Sequence, residues 1–372
     1  MTQHEILMLV AAPLLVYIVA GLALMVGWMR ESERRVADVK AVRCNLNSSK
    51  RRFLLATVIA YRKVRTDSPR WRWLLVLTLL HLVTACGVKK VEGPLAYVSN
   101  ERDGTITVID TKTDSVVKTI KVGARARGIR ISPDGRTIYV AVSTPSGREY
   151  NEEENRIAAI DVESGQVVAG YDIGSDPEQL AVSHDGKLLY ASNENAGTAS
   201  VTDVESGRLL STLTVGIEPE GVTISPDGRW VYVTSETSNT VSVIDTQTNK
   251  VVATFLVGSR PRDAAFSPDS SRAYISAEVG TNLSVVDTTT QTVIKTIELP
   301  RGDGVKPMGV AVSIDGRKVY VANGRAGTVS VIDAASYDVL NTIPVGKRVW
   351  VWQSRPMVRN FMPPTGCQTM SP

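Results

Sequence analysis

Five positions in this sequence of 372 residues offer side chains that could bind a ligand together. They stand at equivalent places in short polar loops of a repeat, such as 177–179, 219–221 and 261–263. Two guanidinium groups and two carboxylates in one ring can bind a zwitterion, a carboxylate or a cation. The alternative interpretation is a solvated ring of charges that neutralise one another. The five positions are Arg127, Glu178, Glu220, Arg262 and Met308.

The composition argues against catalytic chemistry, since the sequence has only three histidines and three cysteines. His184 replaces the proline of a Ser-x-Asp-Gly turn, so we expect it to be a solvated turn residue. No Ser-His-Asp or Cys-His set can be assembled, and no Cys-x-x-Cys-His haem motif is present. We therefore predict no catalytic residues, no metal site and no cofactor, and we favour a protein that is not an enzyme.

The excess of positive over negative charge lies in one segment of the sequence. Residues 30–72 hold thirteen Lys or Arg against four Asp or Glu, whereas the whole chain has a net charge of only +4. The remainder after residue 72 is therefore mildly acidic. Because nucleic-acid binding depends on basic surface, we do not expect a nucleic-acid partner.

Two apolar runs in the N-terminal part predict membrane targeting. The uncharged run from Ile6 to Met29 is long enough to cross a bilayer as a helix. A second run, Trp73 to Val83, follows basic residues and ends in Val-Thr-Ala-Cys-Gly, which resembles a lipoprotein signal whose acylated cysteine is Cys86. The alternative for Cys86 is a buried cysteine at the end of an apolar helix. We interpret 1–63 as a transmembrane and basic extension with a possible true start at Val64, and 64–86 as the signal segment.

The rest of the chain is dominated by an internal repeat. Tyrosine and aspartate recur in step with a period of 42 to 51 residues, beginning with Tyr97 and Asp110. Each unit contains four short β-branched runs separated by turn signals such as Pro-Asp-Gly, which predicts one four-stranded propeller blade per unit. A parallel β-helix is the alternative architecture. We expect the tyrosines to pack between blades and the aspartates to accept backbone hydrogen bonds in turns. The tyrosines are Tyr97, Tyr139, Tyr190, Tyr232, Tyr274 and Tyr320.

The repeat motifs YVSN, YVTS and YVAN resemble the YVTN family of β-propeller repeats over residues 92–350. The segments GIEPEGVTISPDGRWVYVTSE and VYVANGRAGTVSVIDA resemble more narrowly the exported propellers associated with PQQ-dependent alcohol catabolism. The resemblance implies an all-β propeller of the seven-bladed type, of which six units are clear. Residues 351–372 fit no strand pattern, and we interpret them as an aberrant tail caused by a frameshift after Trp350.

Three functions are weighed on these observations. The favoured one is a bacterial binding scaffold on the periplasmic side, anchored through a lipid or the N-terminal helix. The resemblance implies that it assists PQQ-dependent alcohol oxidation and has a quinoprotein dehydrogenase or a cytochrome as partner. A lactonase-like hydrolase would need Glu178 or Glu220 as a base beside Arg127 or Arg262. A cell-surface YVTN protein is the third.

The lipoprotein prediction is tested with the variant Cys86→Ser. We expect it to lose metabolic labelling with radioactive palmitate, because the thiol that carries the acyl chain is gone. The variant Cys44→Ser is the matched control and should keep the label. Equal labelling of the Cys86→Ser variant and the natural chain would contradict the prediction.

Overall fold

The computed structural model shows an all-β propeller with six blades. Each blade is one antiparallel sheet whose strands follow each other in chain order. No α-helix occurs within the described ranges. The prediction of an all-β propeller with four-stranded blades is thereby confirmed. The structure describes residues 94–144, 154–300, 302, 304–346 and 349.

Several predictions from the sequence lie outside the described residues. These are the N-terminal segments 1–63 and 64–86, Cys86 itself, the tail 351–372 and any seventh blade. Within the ranges that are described, no helix has the length and apolar character needed to cross a membrane.

The first blade has three strands and the other five have four. Blade 1 contains β1 (Leu95–Asn100), β2 (Thr105–Asp110) and β3 (Ser115–Lys121). Blade 2 contains β4 (Arg125–Ile131), β5 (Thr137–Ser143), β6 (Arg156–Asp161) and β7 (Val167–Tyr171). Blade 3 contains β8 (Pro177–Val182), β9 (Leu188–Asn193), β10 (Thr198–Asp203) and β11 (Leu209–Thr214).

The last three blades repeat this pattern. Blade 4 contains β12 (Pro219–Ile224), β13 (Trp230–Ser235), β14 (Thr240–Asp245) and β15 (Lys250–Leu256). Blade 5 contains β16 (Pro261–Phe266), β17 (Arg272–Ala277), β18 (Asn282–Asp287) and β19 (Thr292–Glu298). Blade 6 contains β20 (Pro307–Val312), β21 (Lys318–Asn323), β22 (Thr328–Asp333) and β23 (Val339–Pro344), with a 3-10 turn at Gly324–Ala326.

The hydrophobic core lies between adjacent blades, and the repeated tyrosines are part of it. Tyr232 of blade 4 is fully buried, packs on Phe266 of blade 5 with ring centroids 4.6 Å apart, and donates its hydroxyl hydrogen to Gln291. The hydroxyl of Tyr190 in blade 3 likewise donates a hydrogen bond to Asn249 Oδ1 of blade 4, at 2.9 Å. For these two tyrosines, the predicted packing between blades is confirmed.

The repeated aspartates and the motif's asparagine hold the turns of each blade. The Asp245 carboxylate accepts hydrogen bonds from the amides of Gln247 and Thr248 at 2.8 and 2.9 Å, as the sequence predicts. In three blades the asparagine that ends the YVTN-like strand donates to two hydroxyls of the next strand. Asn323, for example, reaches the hydroxyl oxygens of Thr328 and Ser330 at 3.0 and 2.9 Å.

His184 is an exposed turn residue, as predicted, and it also contacts the neighbouring blade. Its Nε2 lies 3.0 Å from the carbonyl oxygen of Ser225 in the equivalent turn of blade 4. The turn therefore contributes to the contact between blades 3 and 4.

Replacing Tyr232 tests the packing between blades. We expect Tyr232→Ala to lower the free energy of unfolding by about 3–5 kcal/mol, because it leaves a cavity between blades 4 and 5. Tyr232→Phe loses only the hydrogen bond and should cost about 1 kcal/mol. Urea unfolding followed by tryptophan fluorescence measures both. An alanine variant no less stable than the phenylalanine variant would contradict this assignment of the core.

Candidate functional site

The innermost strand of every four-stranded blade contains a β-bulge at the same place. In β12, Pro219 pairs with Ser235 and Val222 pairs with Val233, so two residues face one residue of β13. The same shift occurs in β4, β8, β16 and β20. A bulge interrupts the ladder and redirects its side chains. The bulged pairs are Arg127–Gly128, Glu178–Gln179, Glu220–Gly221, Arg262–Asp263 and Met308–Gly309.

The five residues predicted from the repeat thus occupy the first bulge position of their strands. The innermost strands contact each other in the order β4, β8, β12, β16 and β20, which places the bulges next to one another around the channel. Whether these residues bind a ligand stays a prediction.

Hydroxyl side chains hold three of the bulges and join them to the following blade. Thr234 Oγ1 accepts a hydrogen bond from the Gly221 amide at 2.9 Å and donates to the Arg262 carbonyl of blade 5 at 3.1 Å. Ser192 accepts from the Gln179 amide in the same way, and it donates to the Glu220 carbonyl at 2.6 Å. Ser276 repeats the arrangement between Asp263 and Met308. The bulges are therefore fixed by neighbouring blades as well as by their own.

The residue that precedes the innermost strand has a left-handed backbone in three blades. Asp176, Glu218 and Arg260 have φ angles of 52°, 53° and 60°, which non-glycine residues seldom adopt. Each of them precedes a proline that begins the inner strand. Strained backbone of this kind is often found at functional positions.

Ion pairs link the side chains at the channel mouth in two groups. The first group joins blades 1, 2 and 3 through two arginines. Arg125 contacts Glu101 at 2.7 Å, and Arg127 contacts Glu194 at 3.1 Å as well as Glu178. The group consists of Glu101, Arg125, Arg127, Asp176, Glu178 and Glu194.

The second group joins blades 4 and 5. Arg260 contacts Glu236 at 2.6 Å and Glu278 at 3.3 Å. Arg262 contacts Glu220 at 3.2 Å and also Glu236. We call the two groups together the mouth cluster, and the second consists of Glu220, Glu236, Arg260, Arg262 and Glu278.

The mouth cluster is largely buried, so the alternative of a solvated ring is wrong in that respect. The Glu178 side chain is 4% exposed and that of Arg127 is 13% exposed. Burial raises the pKa of Asp176 and of Glu220, and the charge of Arg127 opposes both shifts. Burial also lowers the pKa of Arg127, helped by the charge of Arg125. Charge neutralisation within the ring is present, but it takes place away from water.

Sequence reasoning missed the glutamates that follow the tyrosine-containing strand in four blades. Glu194, Glu236 and Glu278 each stand four residues after a repeated tyrosine, and Glu101 follows Tyr97 in the same way. Antiparallel pairing puts the end of the second strand beside the beginning of the first, which brings these carboxylates to the bulges. The constant spacing from the tyrosine was the available signal.

Three carboxylates of the mouth cluster lie close enough to share a cation. Oxygens of Glu178, Glu194 and Glu220 are all within 4.8 Å of one another. The guanidinium of Arg127 contacts two of the three, and its charge acts on Glu220 as well. Because Arg127 already supplies the counter-charge, these carboxylates are best explained as a group organised by an arginine.

A small cavity lies beside the bulges. It has a volume of about 30 Å³ and is lined by residues from all five complete innermost strands. Glu220, Arg262 and Met308, three of the five predicted residues, contribute to its wall. Arg130, Gln179 and Asp263 also line it and were not predicted.

The fold and the mouth cluster define a β-propeller protein of the repeat type. A family model, the choice-of-anchor I domain, matches residues 83–271, just over half of the chain. The chain belongs to the choice-of-anchor I domain family. This membership supports a secreted or cell-surface protein.

Relatives support the same repeat fold. "Uncharacterized protein YncE" of Salmonella typhi is 43% identical over 54 residues, which are 14% of this chain and 15% of that protein. The same protein of Salmonella typhimurium matches equally. Among solved structures, Kuenenia stuttgartiensis hydrazine synthase has a TM-score of 0.61 at 20% identity, covering 70% of this chain and 86% of that one.

A protein of unknown function from Desulfotomaculum acetoxidans has a TM-score of 0.55 at 16% identity, covering 66% of this chain and 81% of that one. At these identities, both structures show the fold alone. The curated relatives match over only a small part of their length.

Removing Arg127 tests whether the mouth cluster depends on it. We expect Arg127→Met to lower the free energy of unfolding by about 3–5 kcal/mol near neutral pH, because it leaves buried carboxylates without their counter-charge. Without the guanidinium, the pKa values of Asp176 and Glu220 rise further. In the folded variant these carboxyl groups then stay protonated up to a higher pH than in the unfolded chain. The loss of stability relative to the natural chain therefore grows as the pH rises through the acid range.

Urea unfolding at about pH 4 and at about pH 7 measures this dependence. The double variant Arg127→Met with Glu178→Gln should recover part of the loss, because one buried charge is removed as well. Equal losses at both pH values, together with no recovery in the double variant, would contradict the ion-pair account.

Proposed function

We propose that this chain is an exported, membrane-anchored β-propeller that acts as a binding scaffold for periplasmic PQQ-dependent alcohol oxidation. The observation that carries the proposal is the charge of the mouth cluster. It holds seven carboxylates and four guanidinium groups, so the channel mouth has an excess of acid. An acidic surface attracts a basic surface of a partner and steers its approach.

The outer members of the cluster are the ones that a partner could reach. The Glu101 side chain is 48% exposed and lies at the edge of the first group. The Glu278 side chain is 19% exposed in the second. The inner carboxylates of Glu178 and Glu236 are buried and paired, which makes them a rigid base for this rim. The Arg260 side chain, which is 48% exposed, also belongs to this rim, so the rim carries both signs of charge with an excess of acid.

Ion pairing favours a scaffold over a hydrolase. A lactonase-like reaction would need Glu178 or Glu220 as a general base that can accept a proton. Glu178 contacts Arg127, and Glu220 contacts Arg262 at 3.2 Å, so each carboxylate is already engaged by an arginine. Arginines that are already paired are also less suited to stabilise a developing oxyanion.

The choice of partner rests on the resemblance of the repeat segments to propellers associated with PQQ-dependent catabolism. A quinoprotein dehydrogenase or its cytochrome in the periplasm is the partner we propose. The predicted acylation of Cys86 places the propeller at the membrane, where electron transfer to the respiratory chain takes place. The cell-surface alternative shares the anchor and lacks this partner.

Binding of the full chain to the dehydrogenase and the cytochrome of the same cell tests the proposal. We expect saturable association that weakens as salt is added, because exposed charges are screened. Charge removal at the rim by Glu101→Gln with Glu278→Gln should slow association about threefold or more, since rim charges act mainly on the association rate. Glu205→Gln, in an exposed turn of blade 3, is the matched control and should bind as the natural chain does.

Deletion of the gene should also slow growth on alcohols. Absence of binding to both proteins at low salt, together with normal growth of the deletion strain on alcohols, would overturn the proposal. Surface exposure of the protein in that case would favour the cell-surface alternative.

A further inference from the structure

Because the blades repeat, equivalent positions can be compared between them. Three residues at the channel differ in type from the residues at the equivalent positions of other blades. The first is Arg130, which pairs with Tyr139 in its sheet. The residues that pair with the equivalent tyrosine in the other complete blades are all small. They are Ala181, Thr223, Ala265 and Ala311. A propeller blade therefore does not need an arginine at this position.

The other two departures are at the second bulge position. Blades 2, 4 and 6 have glycine there, at Gly128, Gly221 and Gly309. Blade 3 has Gln179 instead and blade 5 has Asp263. Arg130, Gln179 and Asp263 come from three different blades, yet all three line the cavity of about 30 Å³ beside the channel.

The Arg130 guanidinium retains N–H groups that can donate to a ligand. Its Nη1 donates to the carbonyl of Ile129 at 2.9 Å. Within the described part of the chain, no carboxylate lies within 4.0 Å of its guanidinium, in contrast to the four arginines of the mouth cluster. A guanidinium has five N–H groups and retains its charge in proteins, so it can hold a carboxylate through two parallel hydrogen bonds.

Asp263 does not form an ion pair with Arg130, and both of its carboxylate oxygens accept hydrogen bonds from backbone amides. Its Oδ1 accepts from the Ala264 amide at 2.9 Å, and its Oδ2 accepts from the Val310 amide of blade 6 at 3.1 Å. Its charge acts on Arg130 from a distance. Asp263 therefore balances the cavity electrostatically and leaves the guanidinium of Arg130 open to a ligand.

Gln179 adds an acceptor on another side of the cavity. Its Oε1 is buried and has no hydrogen-bond partner among the described residues. A Cβ atom at Gly128 would come within 2.6 Å of this oxygen, so the glycine of blade 2 leaves the room that the amide takes. A buried acceptor without a partner costs free energy unless a ligand or a water supplies a donor.

We propose that this cavity binds a small carboxylate that carries a hydroxyl or an amino group on the neighbouring carbon. The carboxylate binds the guanidinium of Arg130, and the hydroxyl or amino group donates a hydrogen bond to Gln179 Oε1. The small volume of the cavity, about 30 Å³, limits the ligand to a short chain. The site is distinct from the partner surface proposed above, since the two residues that bind the ligand, Arg130 and Gln179, do not belong to the mouth cluster.

Isothermal titration of the full chain with glycolate and glycine tests the site, with acetate and ethanolamine as incomplete probes. We expect glycolate and glycine to bind at one site. Acetate lacks the donor and ethanolamine lacks the carboxylate, so both should bind roughly tenfold more weakly or not at all. Absence of saturable binding of glycolate and of glycine would overturn the proposal.

Two variants that install residues from the other blades make the test specific. Arg130→Ala should lose binding of glycolate, glycine and acetate, and it should fold, since alanine occupies this position in three blades. Gln179→Gly should bind glycolate no better than acetate. Arg317→Ala, in an exposed turn, is the matched control and should bind as the natural chain does. Glycolate binding that survives Arg130→Ala, or a preference over acetate that survives Gln179→Gly, would contradict the assignment.

Docking of the dehydrogenase or the cytochrome is measured separately with the rim variants. A chain that binds glycolate and neither protein would contradict the scaffold role and leave this site in place. A chain that binds a protein partner and no carboxylate would contradict this site and leave the scaffold role in place.

Discussion

The channel mouth of this propeller depends on one constraint, the extra residue in the innermost strand of each complete blade. Two residues must fit opposite one, so the ladder opens and its amides need other acceptors. Hydroxyls of Ser192, Thr234 and Ser276 supply them, and each also donates to a carbonyl of the next blade. The same geometry thus fixes the bulge, joins neighbouring blades and presents side chains at the channel.

Charged side chains at such a position are costly unless they are paired. Carboxylates and guanidinium groups lose hydration when they are buried, and the loss is recovered only through close contacts with good geometry. The mouth cluster meets this condition by sharing each arginine among several carboxylates, as Arg262 is shared by Glu220, Glu236 and Glu278. Sharing also connects the blades, because the partners of Arg127 and Arg262 include residues of a neighbouring blade.

Much of the fold could be predicted from the sequence because it is periodic. The recurring tyrosines and aspartates indicated the blades, and Tyr232 and Asp245 have the packing and turn contacts that the pattern predicted. The equivalence of Arg127, Glu178, Glu220, Arg262 and Met308 followed from the same register. Their burial did not, since a bulge and its hydroxyl contacts leave no mark in a hydropathy pattern.

The unpredicted site residues divide into two kinds. Glu194, Glu236 and Glu278 recur at a constant distance from the tyrosine, and comparison of the repeats would have found them. Arg130, Gln179 and Asp263 do not recur, and only the structure shows that they line one cavity. Residues that recur in the repeat form the propeller, whereas Arg130, Gln179 and Asp263 are residues in which one blade differs from the others.

The claim that these departures form a binding site is tested most directly by a crystal structure of the full chain with glycolate. We expect the glycolate carboxylate within hydrogen-bond distance of the Arg130 guanidinium, and its hydroxyl directed at Gln179 Oε1. A structure at saturating glycolate in which Arg130 pairs directly with Asp263, and no glycolate occupies the cavity, would contradict the claim.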